Sequence, residues 1–233
     1  MFKDYEKYRW FYTSSGKLVV GGKNAEQNEI LLKELKVEGE ERIMMHTTDP
    51  GSPFTAIIFD PKLVKESDIK ECAIFTGSFS RAWRSKKKRV SIDIFTLSQL
   101  YKSGLMKSGT WGVKGEIRRI SVNLELVLTK QNNKLRAVPQ LTSKSRKDIL
   151  LTIIPGKSDK DLILPKLQIA LPIYCSQEEL LNALPSGGIK IKISAVIIQG
   201  IFVIKSRLTR RITSSSSSWF SNSTPSGLIP KDE

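Results

Sequence analysis

The run from Lys7 to Leu32, KYRWFYTSSGKLVVGGKNAEQNEILL, sets out two strands and a helix in order. Trp10, Phe11 and Tyr12 lead into the turn cluster Thr13-Ser14-Ser15-Gly16, and Leu18-Val19-Val20 follows, which predicts a β-hairpin ended by Gly21-Gly22. Asn24, with Gln27 three residues later, caps a helix running from Ala25 to about Leu35, with Ile30, Leu31 and Leu35 on its buried side. The Gly-Gly pair fits two readings: a tight strand-to-helix turn, and a place where a phosphate reaches the backbone N–H groups of a helix start.

Outward from this run the same alternation continues. Ile43 to His46 and Phe54 to Phe59 read as strands on either side of a loop, HTTDPGSP. Ile69, Cys72, Thr76, Phe79 and Trp83 recur at helical spacing, so Ser67 to about Trp83 is predicted as one amphipathic helix with Ser67 at its N-cap. Val90, Ile92 and Ile94 alternate with Ser91, Asp93 and Phe95 as a strand does. Val122, Leu124, Leu126 and Leu128 form another, turning at Gln131-Asn132-Asn133 into Leu135 to Val138. Ile149 to Ile154 is a strand closed by Pro155-Gly156, Asp159 to about Leu171 a helix interrupted by Pro165, and Ser176 with Glu179 opens a helix through Leu184. Ile189, Ile191 and Ile193 begin a last strand.

These elements predict an α+β fold: mixed and antiparallel strands and hairpins packed with two to three helices. The expected organisation is a core over 1–130, a strand-rich continuation or small subdomain over 131–211, and a disordered Ser-rich tail over 212–233.

Charge is unevenly spread. Residues 1–60 carry 8 basic and 10 acidic side chains, residues 61–150 carry 20 and 7, and the rest bring the total to +15. A positive excess gathered in the middle of the chain favours a polyanion. Its densest part is RAWRSKKKR, residues 81–89, with six cations and one tryptophan. Arg81, Arg84, Lys86, Lys87, Lys88 and Arg89 are therefore candidate phosphate contacts. At the end of the predicted helix some of this charge would also complement the macrodipole, which needs only one or two cations. Trp83, in helical register with Thr76 and Phe79, reads as the core anchor that aims the cations outward. The segment from Ser98 to Gly115 is rich in glycine, serine and lysine, with Tyr101 and Trp111 among them. Small residues, lysines and aromatics together suit phosphate contact with base or ribose stacking, and equally a surface loop with two core aromatics. Lys102, Lys107, Arg118 and Arg119 extend the candidate surface.

His46 is the sole histidine and shares its loop with Asp49 and two threonines. It fits a loop-ordering residue, a phosphate contact, or an acid–base group. The sequence has no metal-ligand cluster, P-loop or GxSxG motif, so neither cofactor nor metal is expected. Cys72 and Cys175, far apart and outside any CxxC pair, read as buried small hydrophobes in a reducing cytoplasm. The longest apolar stretch, Ala195 to Ile204, is about half of a bilayer span. No membrane role is expected.

The opening run resembles the start of the NFACT-R domain, the RNA-binding module of the ribosome-quality-control NFACT proteins, whose usual form is YxWFxTSDGxLVIGGRDAxQNExLV. Trp10, Phe11, Gly16, Gly21, Gly22, Ala25, Gln27, Asn28 and Glu29 match it, while Ser15 stands in place of the Asp. Further blocks agree in order. His46 and Gly51 fit an HADxxGA loop, SFSRAWRSKKK an SRAWK block, SQLYKSG to GTWGVKG a QVSKxxxSGEYLxxGSFxIxG block, and Pro155-Gly156 with LPSGG the downstream region. The resemblance covers roughly residues 5–195. Thr47-Thr48 replace Ala-Asp, and Leu105 falls near the usual Glu, which points to a diverged paralogue. The family's N-terminal domain, helix-hairpin-helix segment and coiled coil have no counterpart here, so the resemblance implies the module standing alone. It would keep RNA contact without the parts that support C-terminal tailing.

The expected function is non-catalytic binding of tRNA or ribosomal RNA in the cytoplasm, with the large ribosomal subunit as a further partner. An RNA-processing or RNA-modifying enzyme using His46, and a DNA-binding or scaffold protein, are the alternatives.

Overall fold

The computed structural model describes residues 2–106, 109–142, 148–171 and 173–192. The predicted hairpin forms as β1 (Arg9–Tyr12) and β2 (Leu18–Gly21). Four more strands complete an antiparallel sheet: β3 (Ile43–Thr47), β4 (Thr55–Ile58), β5 (Arg89–Thr96) and β8 (Arg118–Asn123), in the order β1-β2-β4-β3-β5-β8. The short β6 (Leu100–Tyr101) and β7 (Gly112–Val113) pair beside it.

Strand alternation sends successive side chains to opposite faces, and each face finds a helix. Trp10, Val20, Met44 and Phe95 pack under α1 (Ala25–Glu38), which buries Leu31, Leu32 and Leu35. Burial of such side chains contributes about 1.5–3 kcal/mol each. Ile30 was expected inward but is 40% exposed, and Leu32 takes its place. Asn24 caps α1 as expected, its side chain accepting from the Gln27 N–H at 2.8 Å. The opposite face, with Phe11 and Ile92, receives α2 (Glu66–Ser78), where the Phe11 and Phe75 rings lie 4.6 Å apart. Gly77 lets α2 approach closely, since a Cβ there would press on Val90 and Leu124.

The predicted helix Ser67–Trp83 is not continuous. Its N-cap is Lys65, whose N–H donates to the Asp68 carboxylate, and it stops at Ser78. Ser80 then caps a separate four-residue helix, α3 (Arg81–Arg84), its hydroxyl donating to Gly77 O at 2.6 Å and accepting from the Ala82 N–H. The serine competes for the backbone as short hydroxyl side chains do, so regular spacing of the apolar residues survives a break in the backbone. The basic run therefore begins at a helix start, and dipole complementarity to α2 does not explain its charge.

The predicted strand through Leu124 also divides. The first sheet ends at Asn123, and β9 (Leu126–Gln131) opens a second, antiparallel sheet ordered β10-β9-β11-β12, with β10 (Lys134–Pro139), β11 (Leu151–Ser158) and β12 (Ile189–Lys192). Asn132 and Asn133 supply the two left-handed residues of the β9–β10 turn, at φ 49° and 59°. Pro155-Gly156 bends β11 rather than closing it, with a register shift between Pro155 and Ser158. Helices α4 (Lys160–Ala170), with Pro165 inside it, and α5 (Gln177–Ala183) flank this sheet. Ser176 caps α5, while Glu179 turns away from the expected reciprocal cap and accepts from the Leu135 N–H.

The second sheet docks on the open edge of β1. The Gln131 side chain brackets the Tyr12 backbone with two bonds of 2.8 Å, and Lys134 pairs with Glu6. This covers an edge strand that would otherwise present unpaired backbone groups. The fold is α+β, as expected, and both cysteines are buried and free. Ile193, the expected division at 211 and the expected tail over 212–233 lie outside the described residues.

Candidate nucleic-acid interface

In α3, Ala82 and Trp83 face inward and Arg81 and Arg84 outward. Trp83 is fully buried, and its indole donates to Gly188 O at 3.1 Å, in the loop just before β12. The Arg81 N–H donates to Gly51 O at 2.8 Å. Gly51 has φ +108°, and a Cβ there would collide with the Arg81 side chain, so the loop after His46 reaches α3 only through a glycine.

The start of α1, the His46–Phe54 loop, the start of α3 and the Gly109–Trp111 segment enclose a groove of about 510 Å³. Its cations are Arg9, Lys23, Arg81 and Arg84, and its walls include Gly22, His46, Phe54, Phe79 and Trp111. None of these four cations has a carboxylate in salt-bridge range among the described residues. Asn28, on α1, ties the walls together: its side-chain oxygen accepts from the Phe54 N–H at 3.1 Å.

Glu29, one residue on, holds the far wall. Its carboxylate accepts from Lys102 Nζ at 2.9 Å and from the Gly109 N–H and the Trp111 indole, both at 3.1 Å. Burial alone would raise its pKa, but those donors outweigh it and hold the carboxyl at about 2. Glu29→Gln is expected to cost about 1–3 kcal/mol and to speed hydrogen exchange at the Gly109 amide; unchanged exchange there removes Glu29 as the anchor.

The predicted site residues divide into groups. Arg81, Arg84 and His46 line the groove. Lys86, Lys88 and Arg89 are exposed beyond α3, with Lys86 at φ 60°, and Lys87 pairs with Asp49 at 3.1 Å. Lys102 is engaged internally by Glu29 and by Thr110 O. Arg118 and Arg119 lie on the edge strand β8, bidentate to Glu66 and to Asp93. Lys107 lies outside the described residues. Arg9 and Lys23 were not among the sequence-derived candidates: each is a lone cation in a patterned stretch, and only the folded chain brings β1 and the residues before α1 to the same groove as Arg81.

His46 pairs across the sheet with Asp93, stacks on Phe54 at 4.7 Å and shares a 2.7 Å hydrogen bond between its Nδ1 and Thr47 O. Burial lowers its pKa, opposed by Thr47 O and Asp93, so the ring is neutral near pH 7 and donates through Nδ1.

Residues 7–115 match the sequence model of the NFACT protein RNA binding domain. This segment is an NFACT-R domain. Over 203 residues the chain is also 32% identical to the Archaeal Rqc2 homolog aRqcH of Methanocaldococcus jannaschii, covering 81% of this chain and 29% of that protein. The chain thus spans under a third of that relative's length. Among solved structures, the C-terminal part of the fibronectin/fibrinogen-binding protein from Streptococcus suis gives a TM-score of 0.44 at 20% identity, over 50% of this chain and 45% of that one. Within the NFACT-R domain, the departures from the usual motif sit in ordered places. Thr47 N–H donates to Ser52 Oγ and Thr48 Oγ1 donates to Asp93, so hydroxyls shape the loop, and Leu105 is almost wholly exposed.

Proposed function

We propose that the groove of the NFACT-R domain binds RNA, most concretely tRNA or ribosomal RNA, and that the chain works without catalysis in a cytoplasmic ribosome-quality-control setting with the large ribosomal subunit as a partner. The observation that carries this reading is the convergence of four sequence blocks, Gly22–Asn28, His46–Gly51, Ser80–Arg84 and Gly109–Trp111, on one groove whose cations Arg9, Lys23, Arg81 and Arg84 lack carboxylate partners among the described residues. Such a groove takes a phosphate backbone, while Trp111 in its wall is placed to meet a base or ribose. The exposed Lys86, Lys88 and Arg89 lengthen the positive track. A neutral His46 committed to Thr47 O supports loop ordering rather than proton transfer.

With about five phosphates neutralised, affinity is expected to fall with salt on a log–log slope on the order of −3.5 to −4.5. Arg81→Glu with Arg84→Glu is expected to weaken binding of unfractionated tRNA at least ~10-fold, ~1.4 kcal/mol or more, and to flatten that slope by about two phosphates. Unchanged mobility shifts by a variant with the parent's circular dichroism overturn the assignment. Competition between matched RNA and DNA oligonucleotides tests the choice of RNA.

A further inference from the structure

Around the corner from the groove, where β10 and α5 meet β1, lies a second cavity of about 390 Å³. It shares Arg9, Lys23 and Phe79 with the groove and adds Trp10 and Arg136, so one continuous surface joins the two. Arg136 comes from β10, outside the matched residues 7–115. Two guanidinium groups sit over aromatic rings here: Arg9 over Phe79 at 4.5 Å and Arg136 over Trp10 at 4.1 Å. Stacking fixes a guanidinium's orientation and leaves its edge N–H groups to bind an anion.

Those donors are not used up by the protein. Arg136 Nε is buried with no hydrogen-bond partner, and neither arginine forms a salt bridge among the described residues. The carboxylates near the cavity are engaged or at its margin: Glu6 binds Lys134, Glu179 accepts from the Leu135 N–H, and Glu178 is exposed. The cations also press on one another. Burial and then the charges of Arg9 and Arg136 lower the Lys23 pKa. Burial lowers Arg9 to about 10. Burial lowers the Arg136 pKa although the charges of Glu6 and Glu179 oppose it, so half-buried cations that form no ion pair cost free energy in the unliganded protein, and an anion relieves that cost.

We infer that Arg9, Lys23 and Arg136 form a second phosphate subsite, which takes an internal phosphodiester of the same RNA as it leaves the groove. This rests on the RNA reading above. The RNA path would then run from the NFACT-R domain onto the second sheet.

The test compares salt slopes for unfractionated tRNA and for a single-stranded RNA oligonucleotide in four proteins: wild type, Arg136→Gln, Lys23→Gln, and Arg81→Glu with Arg84→Glu. Lys23 is exposed and lies outside the aromatic stacks, so its variant keeps the test open if Arg136→Gln is poorly folded. Each substitution is expected to reduce the slope by up to about one and to weaken binding roughly 3–10-fold, equally for oligonucleotides ending in a hydroxyl and in a phosphate monoester. A parent slope in Arg136→Gln, or in Lys23→Gln where Arg136→Gln is poorly folded, alongside a reduced slope in Arg81→Glu with Arg84→Glu, overturns the second subsite and leaves the groove standing. No effect in any variant removes both. A loss confined to the phosphate-ended oligonucleotide overturns the internal diester.

Discussion

Trp83→Ala is expected to lower the unfolding free energy by about 3–5 kcal/mol, the usual cost of truncating a fully buried large aromatic side chain. The indole has no solvent exposure and is the inward side of a helix only four residues long. So short a helix has little stability of its own, because the nucleus of a helix is unfavourable and tertiary packing must supply the rest. Trp83 also joins parts distant in sequence: its N–H reaches Gly188, next to Gly187, whose backbone at φ +111° passes close to Arg84. Removing the ring leaves a cavity and takes from the Gly188 carbonyl one of its two donors, the other being the Gly156 N–H. Trp83→Phe keeps most of the packing and loses the hydrogen bond, so it is expected to cost less, about 1–3 kcal/mol. Urea unfolding measures both, and RNA affinity of the folded Phe variant shows whether α3 still presents Arg81 and Arg84. Costs below about 1 kcal/mol for Trp83→Ala contradict the anchoring role.

The hairpin and the first helix were legible because each carries its own punctuation: a four-residue turn at Thr13–Gly16, then Asn24 with Gln27. Trp83 was legible as an anchor from its spacing. The break at Ser80 was not, since helical periodicity continues through it while a serine hydroxyl diverts the backbone. The passage between the sheets at Leu124 was hidden for a similar reason: its N–H bonds to Lys88 O, and the alternation of apolar residues does not change there. Of the candidate cations, the sequence cannot separate those that meet carboxylates from those left open. Arg118 and Arg119 meet Glu66 and Asp93 across the fold, whereas Arg81 and Arg84 face the groove with Arg9 and Lys23. That distinction depends on long-range pairing, which local pattern does not encode.

Asp68→Asn is expected to be as costly as the loss of Trp83, about 3–5 kcal/mol, because it strands a buried ammonium. Lys17 and Asp68 pair at 3.0 Å with side chains 8% and 0% exposed. Asp68 also accepts from Ser15, the residue that replaces the family's usual Asp, and from the Lys65 N–H, so one carboxylate fastens the β1–β2 turn to the start of α2. Glu71 repeats the device one turn later, accepting from Ser14 and from Thr142. Burial by itself would raise the Asp68 pKa, but the hydroxyls of Ser15 and Thr13, the Lys65 N–H and Lys17 outweigh it and bring it from 3.8 to about 2. A folded-state value below the unfolded one means that this stabilisation is complete above about pH 4 and is lost as pH falls toward 2, on the order of 2 kcal/mol in all. The wild-type unfolding free energy should therefore fall through that window, and the fall should be shallower in Asp68→Asn, where Glu29 still titrates. Lys17→Met combined with Asp68→Asn is expected to recover part of the loss, since no unpaired charge remains. A double variant that loses the sum of the two single costs would show that the residues act separately and that the turn is held by its hydroxyls alone.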